Sequence, residues 1–199
     1  QMGDIPERMR PARLHGDFVD ATGLIWPQLD ERVHVVDEYP LQAQWPLVIG
    51  IDPGYRHPFG AVFMAVKDDG GVVAFADYKQ RGLLIREHAK SMIEIVKQHA
   101  PHAVNHQAVK WLFETGRMGP EHDHVDDVVE ARWVMDRTAN QFRRELMEYG
   151  IACKRSDSKV RAGIDRVGAM LELRAEGVPG LEIMGERCPN LIQEMRMYC

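Results

Sequence analysis

The spacing of apolar residues changes several times along the chain, and each change marks an element. Three short apolar runs follow closely at Leu47–Asp52, Gly60–Val66 and Val72–Tyr78, and read as strands. Lys67-Asp68-Asp69-Gly70-Gly71 between the last two predicts a tight hairpin turn, because glycine takes positive φ without strain. The period then lengthens. Over residues 83–99, Ile85, Ala89, Met92, Ile93 and Val96 fall on one helical face. After a polar stretch, ARWVMD predicts a further strand ending in Asp136. Thr138 is placed to N-cap a helix reaching Tyr149, with Phe142 and Leu146 turned inward. IACK predicts a short strand, followed by a long helix from Ser158 with Val160, Ile164, Val167 and Leu171 on its buried side. LEIM is the last short strand, and PNLIQEMRMY a final helix opened by Pro189. Residues 1–46 are irregular and rich in proline and charge, with a short strand expected at RVHVVDEY.

The core order β-β-β-α-β-α-β-α is that of an α/β fold. It predicts a mixed sheet of five to six strands with helices on both faces. A length of 199 residues suits one domain, read here as a lead-in segment (1–46) packed on a core (47–199). The composition is globular, 45% hydrophobic and 28% charged, with no apolar run long enough to span a membrane. QMGDIPERMRPARL lacks an apolar signal segment. Cys153, Cys188 and Cys199 are widely spaced and odd in number, which favours reduced thiols in a cytoplasmic setting. The net charge of −5 means that any nucleic-acid function must rest on a local basic patch or on metal ions.

Asp52 and Asp136 are the chemically informative residues. Each ends a strand, where a carboxylate is costly unless something pairs with it. Asp52 before Pro53-Gly54 is also a good turn former, and Asp136 is placed to cap the next helix. If the two strands are sheet neighbours, the carboxylates converge at one edge and call for a cation between them. Mg²⁺ and Mn²⁺ take such hard oxygen ligands, and two ions about 4 Å apart stabilise the attacking and leaving oxygens of a phosphodiester displacement. Tyr55, Arg56 and His57 overhang this edge, although a plain loop role fits them too. Asp77, ending the third strand, reaches it from the side or serves as a strand-terminal turn residue.

Basic residues gather at Lys154, Arg155, Lys159, Arg161 and Arg166, with Arg137, Arg143 and Arg144 nearby in sequence. Lys154, Arg155 and Lys159 precede a helix, where phosphate contacts are favourable; a solvated helix start is the alternative. His122, Asp123, His124, Asp126 and Asp127 form a dense set of potential ligands, read here as a solvated loop. QAVKWLFETG, with Trp111 and Phe113, reads as packed against the domain rather than as a base-stacking platform.

Taken in order, VIGIDPGYRHPFGAV, WVMDRTANQFRRELMEYGI, KRSDSKVRAGIDRVGAMLEL and CPNLIQEMRMY, preceded by GDFVDATGLIWPQLDERVHVVDEYP, resemble the nuclease domain of the large terminase subunit of tailed phages. The resemblance runs from about Arg13 to Tyr198 and implies a ribonuclease H-like fold. It implies a metal-dependent endonuclease that cuts double-stranded DNA during genome packaging, with Asp52 and Asp136 as catalytic metal ligands for two Mg²⁺ or Mn²⁺ ions. It also implies a packaging ATPase domain, a small terminase subunit and a portal protein as partners, in the cytoplasm of the infected bacterial host.

Three departures accompany the resemblance. Arg137 follows Asp136 where the family often has proline, and residues 101–132 read as an insertion or extended connection. The family's third acidic cluster is expected beyond residue 199, so weak or no cutting is expected of these residues alone. The ATPase would likewise lie elsewhere, since no GxxxxGK[ST] phosphate loop occurs here. A RuvC-type branched-DNA resolvase and a non-catalytic ribonuclease H-like docking domain are the alternatives.

Overall fold

Alternating burial in the three central strands sets the architecture. In β2 (Leu47–Asp52), Leu47, Ile49 and Ile51 are buried and the intervening residues are not, so the strand has one covered and one partly open face. It pairs antiparallel with β3 (Phe59–Val66), which pairs antiparallel with β4 (Val72–Gln80). The β3–β4 turn is the expected hairpin. Gly70 sits at φ +78, and the amide of Gly71 donates to Asp69 Oδ1 at 2.7 Å. A computed structural model describes residues 24–54, 57–115, 128–156, 159–174 and 177–198. Their mixed sheet has seven strands in the order β1-β7-β4-β3-β2-β5-β6, where β1 is Val35–Val36, β5 Arg132–Met135, β6 Lys154–Arg155 and β7 Leu181–Met184.

Helices cover both faces. On one face, α2 (Ile85–His99) buries Ala89, Met92, Ile93 and Val96, as its periodicity predicts. Beside it lie α3 (His106–Thr115) and α4 (Asn140–Met147), closing a core around Ile49, Ile51, Phe63, Trp133 and Met135. The opposite face carries a smaller core of Ala74, Leu171, Ile183, Cys188, Ile192 and Met195 under α5 (Val160–Met170) and α6 (Pro189–Met197). Cys153 and Cys188 are free thiols; Cys188 is buried, and burial pushes its thiol well above the usual range.

Several elements differ from expectation. Within RVHVVDEY only Val35–Val36 pair in the sheet, because Glu31–His34 form a helical turn, α1, capped by the Asp30 side chain. The buried His34 ring holds that turn, lying 2.8 Å from the carbonyl oxygens of both Asp30 and Leu171. Thr138 is not the N-cap of α4: its amide and hydroxyl donate to Asp136, and α4 starts at Asn140 with no side-chain cap. In IACK, pairing begins only at Lys154, since Ile151 is pulled into the core behind α4. Val160, expected on the buried side, is 75% exposed at the first residue of α5, and burial on this helix begins further along, toward Leu171. The helix α3 interrupts the expected insertion; the Asn105 side chain accepts from the Ala108 amide at 3.1 Å, and Ala108, Val109 and Leu112 are buried. The side chains of Trp111 and Phe113 lie outside the described residues.

The described part of the lead-in, residues 24–46, is tied to the core by β1 and by side-chain contacts along its length. Trp26 stacks on Tyr198 with ring centroids 5.2 Å apart, and its indole N–H donates to the Ile164 carbonyl at 3.0 Å. Trp45 donates to Asp68 at 3.2 Å. Tyr39 donates to Glu182 Oε2 at 2.6 Å, while Lys67 donates to Glu182 Oε1 at 2.7 Å. The Lys67 and Glu182 side chains are only 14% and 13% exposed, so this pair lies largely out of water. A second anchor is Asp77, whose carboxylate accepts from the Leu191 amide at 2.7 Å and from Asn190 Nδ2 at 2.8 Å. It thereby caps α6 from β4 and places a negative charge at that helix's positive end.

These two anchors predict different losses. In urea unfolding, Glu182→Ala is expected to cost about 3 kcal/mol, because it strands the largely buried Lys67 ammonium. Asp77→Ala is expected to cost about 1 kcal/mol, the usual loss for a helix cap.

Candidate active site at the strand ends

Parallel pairing of β2 with β5 sets Ile51 opposite Met135, so Asp52 and Asp136 leave the sheet side by side at the same level. Neighbouring strands lie about 4.8 Å apart, which brings both carboxylates within reach of one small ligand. Both residues are exposed. The loop after Asp52 turns back tightly at Gly54, where a Cβ would meet the carbonyl oxygens of His57 and Pro58, the latter at 2.6 Å.

Asp52 and Asp136 stand at a cleft of about 620 Å³ on the sheet face that carries α5 and α6. Its floor, lined also by Val62 and Val134, is low at two glycines. A Cβ on Gly50 would have no atom within 4 Å, and one on Gly60 would come no nearer than 3.9 Å, to the Tyr78 carbonyl. Asp77, Lys79 and Arg81 line it from the β4 side, Asn190, Leu191 and Glu194 from α6, and Ser156 from beyond β6.

Asp136 is held by Thr138, whose amide donates to Asp136 Oδ1 at 2.7 Å and whose hydroxyl donates to the same oxygen. Those bonds, with Arg137 and Arg143 nearby, lower its pKa below the usual aspartate value and keep it ionised. Both bonds fall on Oδ1; among the described residues none is made to Oδ2, which stays available as a ligand atom.

His57 lines the cleft and is exposed; Arg56 lies outside the described residues, as do His122, Asp123, His124, Asp126 and Asp127. Asp77 also lines the cleft, with both oxygens engaged in capping α6. Arg137 is exposed beside Asp136, and Lys154 and Arg155 are exposed on β6 in register with Val134 and Met135. Lys159 and Arg161 are exposed at the start of α5. None of these five basic residues is among the described residues lining the cleft itself.

The sequence reading overlooked Lys79, Arg81 and Glu194. Alternation along Asp77-Tyr78-Lys79-Gln80-Arg81 was the available signal, since it sets three charged residues on one strand face. Chemically, two adjacent carboxylates over an open floor suit a hard divalent cation. Among the described residues, no group of three or more His, Cys, Asp or Glu is arranged to hold a metal.

Comparison with known proteins identifies the fold and the family. Residues 49–199 match the family described as the Terminase RNaseH-like domain. No match was found among curated protein sequences. Among solved structures, the chain is similar to the large terminase of a thermophilic bacteriophage in complex with ADP. The TM-score is 0.61 at 14% identity, covering 87% of this chain and 36% of that one. It is similar to the P22 large terminase nuclease domain, with TM-score 0.58 at 14% identity over 89% and 79% of the two chains. It also resembles the nuclease domain of g2p, the large terminase of bacteriophage SPP1, solved with bound Mn. There the TM-score is 0.50 at 15% identity over 83% and 77%. The chain spans little more than a third of the length of the thermophilic phage's large terminase. At these identities the structural likeness establishes the ribonuclease H-like fold, and the match across residues 49–199 establishes the lineage: the chain belongs to the terminase RNase H-like domain family.

Proposed function

We propose that this chain is the metal-dependent endonuclease domain of a viral DNA-packaging terminase, cutting the phosphodiester bonds of double-stranded DNA. The observation that carries this reading is the pairing of Asp52 with Asp136 at the ends of adjacent parallel strands, over a floor emptied by Gly50 and Gly60. Family membership supports it over the branched-DNA resolvase, and the SPP1 nuclease domain with bound Mn supports a divalent cation.

Asp52 and Asp136 would hold Mg²⁺ or Mn²⁺, which when bound supplies water activation and charge stabilisation at the departing 3′ oxygen. The chain's own residues do the rest. Thr138 fixes the Asp136 carboxylate and keeps it charged, with Oδ2 directed away from its two bonds. The low floor at Gly50 and Gly60 leaves room for a phosphodiester to approach both carboxylates. Lys154, Arg155, Lys159, Arg161 and Arg137 would contact backbone phosphates, three of them next to β5 and two at the start of α5. Phosphate contacts position DNA without reading bases, so cutting would show little sequence preference. The lead-in (residues 1–46) would join this core to a packaging ATPase, with the small terminase subunit and the portal as further partners in the infected bacterial cytoplasm. No helix among the described residues is long and apolar enough to cross a membrane.

Asp52→Asn and Asp136→Asn are each expected to abolish Mn²⁺-dependent plasmid nicking by the full-length protein while leaving its circular dichroism spectrum and thermal unfolding unchanged. Retained nicking in either folded variant would refute the assignment.

A further inference from the structure

Sheet register places a cation in line with the carboxylate pair. Asp52 of β2 lies opposite Gly60 of β3, and Gly60 lies opposite Lys79 of β4, so the three form one transverse row. Directly paired residues face the same side of a sheet, here the cleft side. Gly60 is the only residue between the two charges and has no side chain, and a Cβ there would find no atom closer than 3.9 Å. Lys79 thus faces Asp52 across open floor, two strand spacings of about 4.8 Å each away. Arg81, two residues on, lines the same wall.

What Lys79 touches is a carboxylate it can exchange. Its ammonium lies 2.5 Å from Glu194 of α6, and the side chains are 36% and 56% exposed. A half-exposed lysine–carboxylate pair is weak and readily replaced by another anion. Among the described residues no ion pair involves Arg81. The wall is also placed to complement the other basic group. β4 lies two strands from β2 on one side and β6 two strands from it on the other. Lys154 of β6 is in register with Val134, which itself lines the cleft.

We propose that Lys79, with Arg81, forms a second phosphate-binding arm of the cleft, gripping the DNA backbone on the β4 side of the carboxylate pair, and that Glu194 occupies Lys79 until a DNA phosphate displaces it. This rests on the endonuclease reading and extends it. DNA crossing the strand ends then passes from Lys79 and Arg81, over Asp52 and Asp136, to Lys154. Lysine suits the exchange, because its three donors sit on a flexible stem and accept carboxylate or phosphate oxygens alike.

The test is binding of a short fluorescein-labelled DNA duplex, followed by anisotropy over a salt series without divalent ions, so that cleavage plays no part. Lys79→Gln is expected to weaken binding about three- to tenfold and to flatten the log–log salt slope by about one unit, the signature of one lost phosphate contact. Glu194→Gln is expected to tighten binding, because it frees Lys79. A purely structural ion pair would instead leave both affinities unchanged at equal thermal stability. Unchanged affinity and slope in Lys79→Gln would overturn the arm, and unchanged or weaker binding in Glu194→Gln would overturn the exchange. Either result leaves the endonuclease reading intact if Asp52→Asn still loses nicking, whereas nicking by Asp52→Asn alongside weakened Lys79→Gln binding would overturn that reading instead.

Discussion

The parallel pairing of β2 with β5 is the constraint on which the site depends. These strands are distant in sequence, and nothing local compels them to meet. Their register is set by burial: Ile49 and Ile51 on one strand, and Trp133 and Met135 on the other, pack into the same core. A slip of one residue would send that apolar set to the open face, so the pairing has one acceptable register. Asp52 and Asp136 are simply the next residues on each strand. Their proximity follows from hydrophobic packing, and their mutual repulsion is tolerated because it falls at the exposed edge.

The second determinant is the unequal covering of the two sheet faces. Three helices close the Ile49–Trp133 face, while α5 and α6 leave the other face open over β2, β3 and β5. Glycines at positions 50 and 60 keep that floor clear. One wall is fixed by Asp77, which ties the start of α6 to β4 and so carries Glu194 to Lys79. The far end of α6 is held in turn by the lead-in, through Trp26 on Tyr198 and an ion pair between Glu31 and Arg196. Asp77 does not end its strand, as the sequence suggests, because β4 continues to Gln80; it contributes first as an architectural carboxylate.

What was legible in the sequence is what depends on near neighbours. The central strands, the hairpin at Gly70 and the face of α2 are written in local alternation or helical spacing, and the structure has them where the pattern puts them. The elements misplaced are those set by distant contacts. The turn at Glu31–His34 needs the Leu171 carbonyl to hold His34, and β6 begins where β5 offers partners rather than where the apolar residues begin. For the same reason Asp52 and Asp136 could be suspected from strand order, whereas alternation gives only the face of Lys79 and says nothing of its meeting with Glu194. Their meeting depends on the β3–β4 register and on the placement of α6, neither of which the local sequence states. Thr138 is a smaller instance, since its side chain had two neighbouring uses and orients Asp136 instead of capping α4.

The central claim is that Asp52 and Asp136 share a divalent cation. Its most direct test is a Mn²⁺ titration of the ¹⁵N-labelled protein, following paramagnetic broadening of backbone amide signals. The account predicts saturable broadening centred on Gly50–Asp52, Gly60 and Val134–Asp136, and its loss in a protein carrying Asp52→Asn. Broadening centred elsewhere on the chain, or a pattern at the strand ends that Asp52→Asn leaves unchanged, would contradict it.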